Sequence, residues 1–210
     1  MSDLLPLFPL PGVVLFPNVF LPLHIFEPRY REMVTDAISG DRMIGMVLLK
    51  PGWEHDYEGR PPVFDVGCSG VISHFERLGD GRYNIILRGL ERFRIKEEDH
   101  TRSYRRASVE SLVETSLSAA DRDVLRNHRG KLEALLTPAA AKAGTTRATA
   151  SAMTDADLIN ALAQYLDLEP LEKQALLERK SLRSRAEALV ELLEMKMIMS
   201  RTRGLSNVAH

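Results

Sequence analysis

Residues 8–28 read FPLPGVVLFPNVFLPLHIFEP, an apolar stretch cut by five prolines: Pro9, Pro11, Pro17, Pro22 and Pro28. From Leu4 to Phe26 there is no Asp, Glu, Lys or Arg, which is long enough for a membrane span of roughly 20 apolar residues. The prolines argue against a span. Each removes a backbone donor and clashes with the preceding turn, at about 3 kcal/mol in a helix interior. A secretion signal fails on charge, because the first basic residue is Arg29 and Asp3 has the wrong sign. The remaining reading is strands of a soluble barrel. Val19, Leu21, Leu23 and Ile25 fall on one face, and Phe20, Pro22, His24 and Phe26 on the other. Period two predicts a strand, and Pro22 places it at an edge or bulge.

Working outward, EPRYREMVTDAISG switches to helical period. Pro28 suits the first helical position, Tyr30, Met33, Val34, Ala37 and Ile38 share a face, and Gly40 is a stop. MIGMVLL (43–49) predicts a strand buried on both faces. The polar loop 50–62 carries Trp53 and Tyr57. Strands follow in VFDVGCSGVI, YNIILRG, RFRI and YRRASVESLV, with GDG (79–81) as a hairpin turn. Gly89–Glu91 and the charged Lys96–Thr101 are the expected separators.

Beyond residue 116 the pattern is helical. Ser118/Asp121, Thr154/Asp157 and Ser184/Glu187 are capping signatures, and Pro170 is a helix start. Val124, Leu125, His128, Leu132, Leu135 and Leu136 repeat at helical spacing, and Ala/Thr-rich 137–153 is a connection or a helix extension. The predicted class is α+β: a β-rich domain over 1–115 with one helix, then an all-α helical domain over 116–210. In the last helix, expected over 184–200, Leu182, Ala186, Leu189, Val190, Leu193 and Met197 form one stripe. Ala188, Leu192, Met195 and Met199 form a second, with Arg185 and Lys196 on a flank. A soluble monomer seldom leaves such a stripe wet, so it is covered either by the β-rich domain or another helix of the same chain, or by a second chain; the latter makes Leu192, Met195 and Met199 candidates for a weak homodimer contact.

Net charge is −1, so no bulk basicity points to nucleic acid or membrane. One cysteine, Cys68, excludes an internal disulfide framework and a cysteine-based zinc site, and a small buried hydrophobe is its expected role. The cluster His55, Asp56 and Glu58 lacks spacing that converges ligands, so no metal and no cofactor is expected. His24 is expected to be a hydrogen-bonded structural histidine. Glu27 is expected to favour the helix N-terminus, with Arg29 and Arg31 paired to strand carboxylates. Trp53 and Tyr57 are candidate protein-binding residues, amphipathic aromatics being enriched at hot spots, and folding back onto the barrel is the equal alternative.

LPLFPLPGVVLFPNVFLPLHIFEPRYREMV resembles the opening of the N-terminal, substrate-binding domain of the Lon protease family. VGCSGVI, DGRYNIILRGLERFRI, YRRASVE and LAQYLDLEPLEKQALLE resemble it in the same order. The resemblance implies a PUA-like pseudo-barrel joined to a helical bundle, and engagement of unfolded or flexible protein segments through apolar surface. It does not imply catalysis. GxxxxGK[ST] is absent, GDRMIGM (40–46) placing Met46 where the lysine would stand, and G-x-S-x-G and S-x-x-K are missing. The expectation is a standalone, non-enzymatic, cytoplasmic binding protein. Its expected partners are polypeptides, with a separate ATP-dependent protease as a further candidate. The alternative is an RNA-binding module using the basic strands 88–106: Arg88, Arg92, Arg94, Lys96, Arg102, Arg105 and Arg106, with Tyr104 as the one interleaved aromatic.

Overall fold

The computed structural model describes residues 4–114, 117–143 and 153–206. In chain order the elements are β1 (Leu5–Leu10), β2 (Phe20–Ile25), α1 (Pro28–Ser39), β3 (Met43–Leu48), β4 (Val66–Arg77), β5 (Tyr83–Asp99) and β6 (Arg105–Ser111). The helices α2 (Ala119–Ala143), α3 (Asp155–Tyr165), α4 (Pro170–Leu177) and α5 (Leu182–Ser206) follow. They divide into two compact units, one of residues 1–113 with 160–178, the other of 114–159 with 179–210.

In the first unit the strand order is β2-β5-β4-β3-β1-β6, and β6 also pairs with β5. Five strands therefore close on themselves, and β2 hangs on the first half of β5 as an edge. Pro22 sits on that edge opposite Ile86, where a missing N–H costs no ladder bond. The prolines of β1 obey the same rule in a less obvious way. β1 pairs with β6 only through Leu5–Leu7 and with β3 only through Leu7–Leu10. Pro6 and Pro9 each fall where one neighbour is absent.

The expected alternation of β2 holds: Val19 and Ile25 are buried, Leu21 and Leu23 half-buried, and Phe20, Pro22, His24 and Phe26 exposed. Helix α1 starts at Pro28, ends at Gly40, and buries Tyr30, Met33, Val34 and Ala37. Cys68 is a free, fully buried core residue.

Gly89–Glu91 is not a separator, because β5 is one 17-residue strand. Gly89 serves a close approach instead of a turn. A Cβ there would lie 2.1 Å from the Phe16 carbonyl oxygen, and the Gly89 N–H and C=O bond Val19 and Asn18 at 2.9 Å each. The charged stretch breaks the strand only at its end: residues 96–99 continue β5, and the separation from β6 comes at residues 100–104. Its carboxylates and amine pair across to β6, as Lys96–Glu110, Glu98–Arg105 and Asp99–Arg106, so charge is carried on the strand by its neighbour.

Residues 160–178 pack with the strands, whereas a single cut at 115/116 would assign them to a helical domain. Their anchors are polar. Gln164 accepts from the Phe16 N–H at 3.1 Å, Gln174 donates to the Val66 carbonyl at 3.0 Å, and buried Arg92 donates to the Leu177 carbonyl at 3.0 Å. Apolar periodicity cannot flag such anchors. Residues 115 and 116 themselves lie outside the described residues.

In the second unit α2 packs on α5, burying Leu125 and Leu132 with Leu182, Ala186, Leu189 and Val190. Ser118 and Asp121 cap α2 reciprocally, and Thr154 caps α3 by accepting from the Asp157 N–H. Helix α2 continues to Ala143; the side chains of Leu135 and Leu136, and residues 144–152, lie outside the described residues. Two expectations for α5 need correction. Its cap is Ser181 with Ser184, three residues before the expected cap at Ser184, so the helix begins at Leu182, while Glu187 pairs with Arg183. Arg185 is not on a flank but fully buried, 2.5 Å from Glu114. It follows Leu182 by three and precedes Leu189 by four, which puts it inside the first apolar stripe.

Candidate protein-binding face

The outer face of β2 is built by cross-strand register. Pro22 pairs with Ile86 and Ile86 with His74; His24 pairs with Asn84 and Asn84 with Glu76. These two rows line a shallow groove of about 380 Å³. Phe20 (50% exposed) and Phe26 (59% exposed) stand at the two ends of β2, and Tyr165 borders Phe20 through a bond from its hydroxyl to the Phe20 carbonyl at 2.9 Å. Two large aromatics thus stand half in water on one strand face.

A polar seam crosses the groove. Asn84 donates through its amide nitrogen to Glu76 at 3.0 Å, which leaves its oxygen to accept. That oxygen is 2.8 Å from His24 Nδ1, so Nδ1 carries the proton, and Nε2 accepts from Arg82 at 3.3 Å. His24 is thus a hydrogen-bonded structural histidine as expected. Its ring also stacks on that of Phe26, with centroids 6.3 Å apart.

Trp53 and Tyr57 are placed elsewhere. Both are half-buried and pack on the cluster Leu7, Val47, Leu49, Val63, Phe93 and Ala107, with their rings 5.4 Å apart. The Tyr57 hydroxyl donates to Glu27, and the Arg29 guanidinium lies over the Tyr57 ring. Arg29 pairs with Glu27 of its own turn, not with a strand carboxylate, and donates to the loop carbonyls of Tyr57 and Gly59. Arg31 rests against Gly81. Leu192 is half-buried on α5, while Met195 and Met199 are exposed. The alternation in residues 19–26 already displayed Phe20 and Phe26 on the open face, so the patch was there to be seen in the sequence.

Most of the basic strip is internally committed. Lys96, Arg105 and Arg106 pair across strands, Arg102 faces Glu32 and Asp36 at 3.7 Å, and Arg92 is buried. Tyr104 is buried too, and donates to Asp36 at 2.7 Å. Among the described residues no three His, Cys, Asp or Glu side chains converge as metal ligands, and no helix is long and apolar enough to cross a membrane.

The fold is that of solved Lon N-terminal domains. It is similar to the N-terminal domain of Mycobacterium avium complex Lon protease, with a TM-score of 0.71 at 17% identity, covering 91% of this chain and 98% of that one. The Lon N-terminal domain protein from Xanthomonas campestris gives 0.62 at 22% identity, over 90% and 98%. Residues 4–195 match the substrate-binding domain of ATP-dependent protease La (LON), and the chain belongs to that family. Among whole proteins it is similar to Lon protease 2 of Myxococcus xanthus, 29% identical over 197 residues, covering 92% of this chain and 24% of that protein. The Lon protease of Anaeromyxobacter dehalogenans is 27% identical over 195 residues, covering 91% and 23%. The chain thus spans about a quarter of the length of these relatives.

Proposed function

We propose that this chain is a non-enzymatic protein-binding module on a PUA-like barrel, and that it engages unfolded or flexible segments through the outer face of β2. The observation that carries this reading is a pair of half-exposed phenylalanines at either end of an edge strand. The match to a substrate-binding domain supports it. The edge itself is poorly suited to adding a strand: Pro22 has no N–H to offer and the Phe20 carbonyl is taken by Tyr165. Contact therefore runs through side chains, which tolerates many sequences. An ATP-dependent protease is the natural recipient of what is bound, and the cytoplasm the natural setting for a chain with one unpaired thiol. The exposed Met195 and Met199, with Leu192 beside them, form a second contact surface, read as the seam of a weak homodimer.

Burying a phenylalanine fully is worth about 1.5–3 kcal/mol. Phe20 and Phe26 each have half or more of their surface left to bury, so together they offer about 2 kcal/mol, roughly 30-fold in affinity. The test is fluorescence anisotropy with a labelled, permanently unfolded polypeptide and with an RNA oligonucleotide. Phe20→Thr with Phe26→Thr should weaken polypeptide binding at least tenfold without lowering the melting temperature. Unchanged polypeptide binding, or binding of RNA alone, would overturn the reading.

A further inference from the structure

The start of α1, the 50–62 loop and the β5–β6 turn enclose a separate cavity of about 180 Å³. Three guanidinium groups line it: Arg29, Arg60 and Arg105. Two are neutralised within the fold, Arg29 by Glu27 at 3.0 Å and Arg105 by a two-pronged pair with Glu98 at 2.6 and 2.8 Å. Arg60 is not. It donates to the carbonyls of Asp99 and Arg102, at 3.4 and 3.0 Å, and among the described residues no carboxylate pairs with it. Two of its five N–H groups are engaged this way, which leaves the rest of the fork for something else.

A second observation points the same way. Tyr30 lines the cavity with a side chain that is otherwise buried, and its hydroxyl, which bonds to no other group among the described residues, opens onto the cavity. Burial pushes the Tyr30 phenol well above its ordinary value, with Arg29 pulling against it, so it remains a proton donor. The cavity wall thus presents donors of two kinds, the Arg60 fork and the Tyr30 hydroxyl.

We propose that this cavity binds one carboxylate group, held by the Arg60 fork and the Tyr30 hydroxyl between the rings of Tyr30, Tyr57 and Tyr104. Charge selects a carboxylate over a phosphate. The two internal pairs cancel and the Glu58 carboxylate at the wall offsets Arg60, so the lining carries no surplus positive charge and disfavours a dianion more than a monoanion. Guanidinium also matches a planar carboxylate prong for prong. The carboxylate can come from a polypeptide C-terminus, an acidic side chain or a small acid. None of these residues belongs to the β2 face, so the two readings stand or fall separately.

Trp53, the only tryptophan in the sequence, has its ring 5.4 Å from that of Tyr57 and reports on the cavity wall. Its fluorescence in the full chain is titrated with five probes. These are acetate, inorganic phosphate, an N-acetylated hexapeptide with a free C-terminal carboxylate, its C-terminal amide, and the amide carrying one internal glutamate. Saturable binding of any carboxylate probe over the plain amide supports the proposal, and the tightest of them identifies the source. Arg60→Gln should weaken that binding at least tenfold. Tyr30→Phe, which removes only an unpartnered hydroxyl, should weaken it three- to tenfold with an unchanged melting temperature. No saturable carboxylate response, phosphate bound more tightly than every carboxylate, or a folded Tyr30→Phe with wild-type affinity would each overturn it.

Discussion

Gly89→Ala is a small change with a large expected cost. The added Cβ would lie 2.1 Å from the Phe16 carbonyl oxygen, 3.0 Å from its carbon and 3.3 Å from Leu15 Cγ. Carbon–oxygen contacts settle near 3.3 Å, so β5 and the 16–19 segment must part by about 1 Å. That carries both 2.9 Å bonds, from Gly89 N–H to Val19 and from Asn18 N–H to Gly89, past the limit of a hydrogen bond. Gly89 and Val19 are buried, so their broken bond costs about 1–3 kcal/mol; exposed Asn18 can turn to water, at about 1. Against this, alanine stiffens the unfolded chain by about 0.4–1 kcal/mol. The net is a loss of about 1–3.5 kcal/mol. Urea unfolding followed by Trp53 fluorescence reads it directly: with a slope of about 2 kcal/mol/M, the midpoint falls by about 0.5–1.8 M. Gly79→Ala, in the hairpin turn with nothing within 4 Å, is the control and should move it by less than about 0.25 M. Equal shifts in the two variants would refute the close-approach account and return Gly89 to an ordinary strand position.

Two further outcomes are expected. The Thr101 hydroxyl and N–H, with Arg106, hold the Asp99 carboxyl at about 2, below its ordinary 3.8. A depressed carboxyl stabilises the fold above its unfolded value and loses that contribution as pH falls towards 2. Asp99→Asn should therefore lower the melting temperature at pH 7 and by much less at pH 2, where the carboxyl is about half protonated, and an equal gap at both would contradict the assignment. Leu192→Glu should convert a sedimentation profile from dimer to folded monomer, whereas a wild type that is monomeric at high concentration would remove the α5 seam.

What the sequence disclosed, and what it hid, divides along physical lines. Local signals were legible: the period-two faces of residues 19–26, Pro28 and Gly40 bounding α1, and the Ser118/Asp121 and Thr154/Asp157 caps. Each depends on residues within a few positions of one another. What required tertiary context was hidden. Gly89 reads as a turn until Phe16 is found against it. Arg185 reads as surface until Glu114 is found beside it, although its spacing from Leu182 and Leu189 placed it on the buried stripe. Gln164, Gln174 and Arg92 tie residues 160–178 to the strands through carbonyls and an N–H that no sequence pattern marks. Trp53 and Tyr57 drew notice as loop aromatics, but a loop folded onto an apolar cluster buries them in part. The open aromatics are those whose strand has its other face already committed to the core.

That last point explains how β2 keeps phenylalanines in water without becoming an aggregation site. An exposed apolar edge is hazardous because backbone donors and acceptors in register let a second strand zip on along its length. Here the apolar side chains are present but the register is broken, at Pro22 by the missing N–H and at Phe20 by the Tyr165 hydroxyl. Lateral strand growth would have to skip the middle of a six-residue strand. What remains is adhesion through the Phe20, Pro22 and Phe26 side chains. Such adhesion is weak per site, indifferent to the register of the bound segment, and quick to release. On the proposed reading, a surface that holds many unrelated unfolded chains and then lets them go needs those three properties. The same Pro22 that argues against a membrane helix in the sequence would then separate reversible capture from strand addition in the fold.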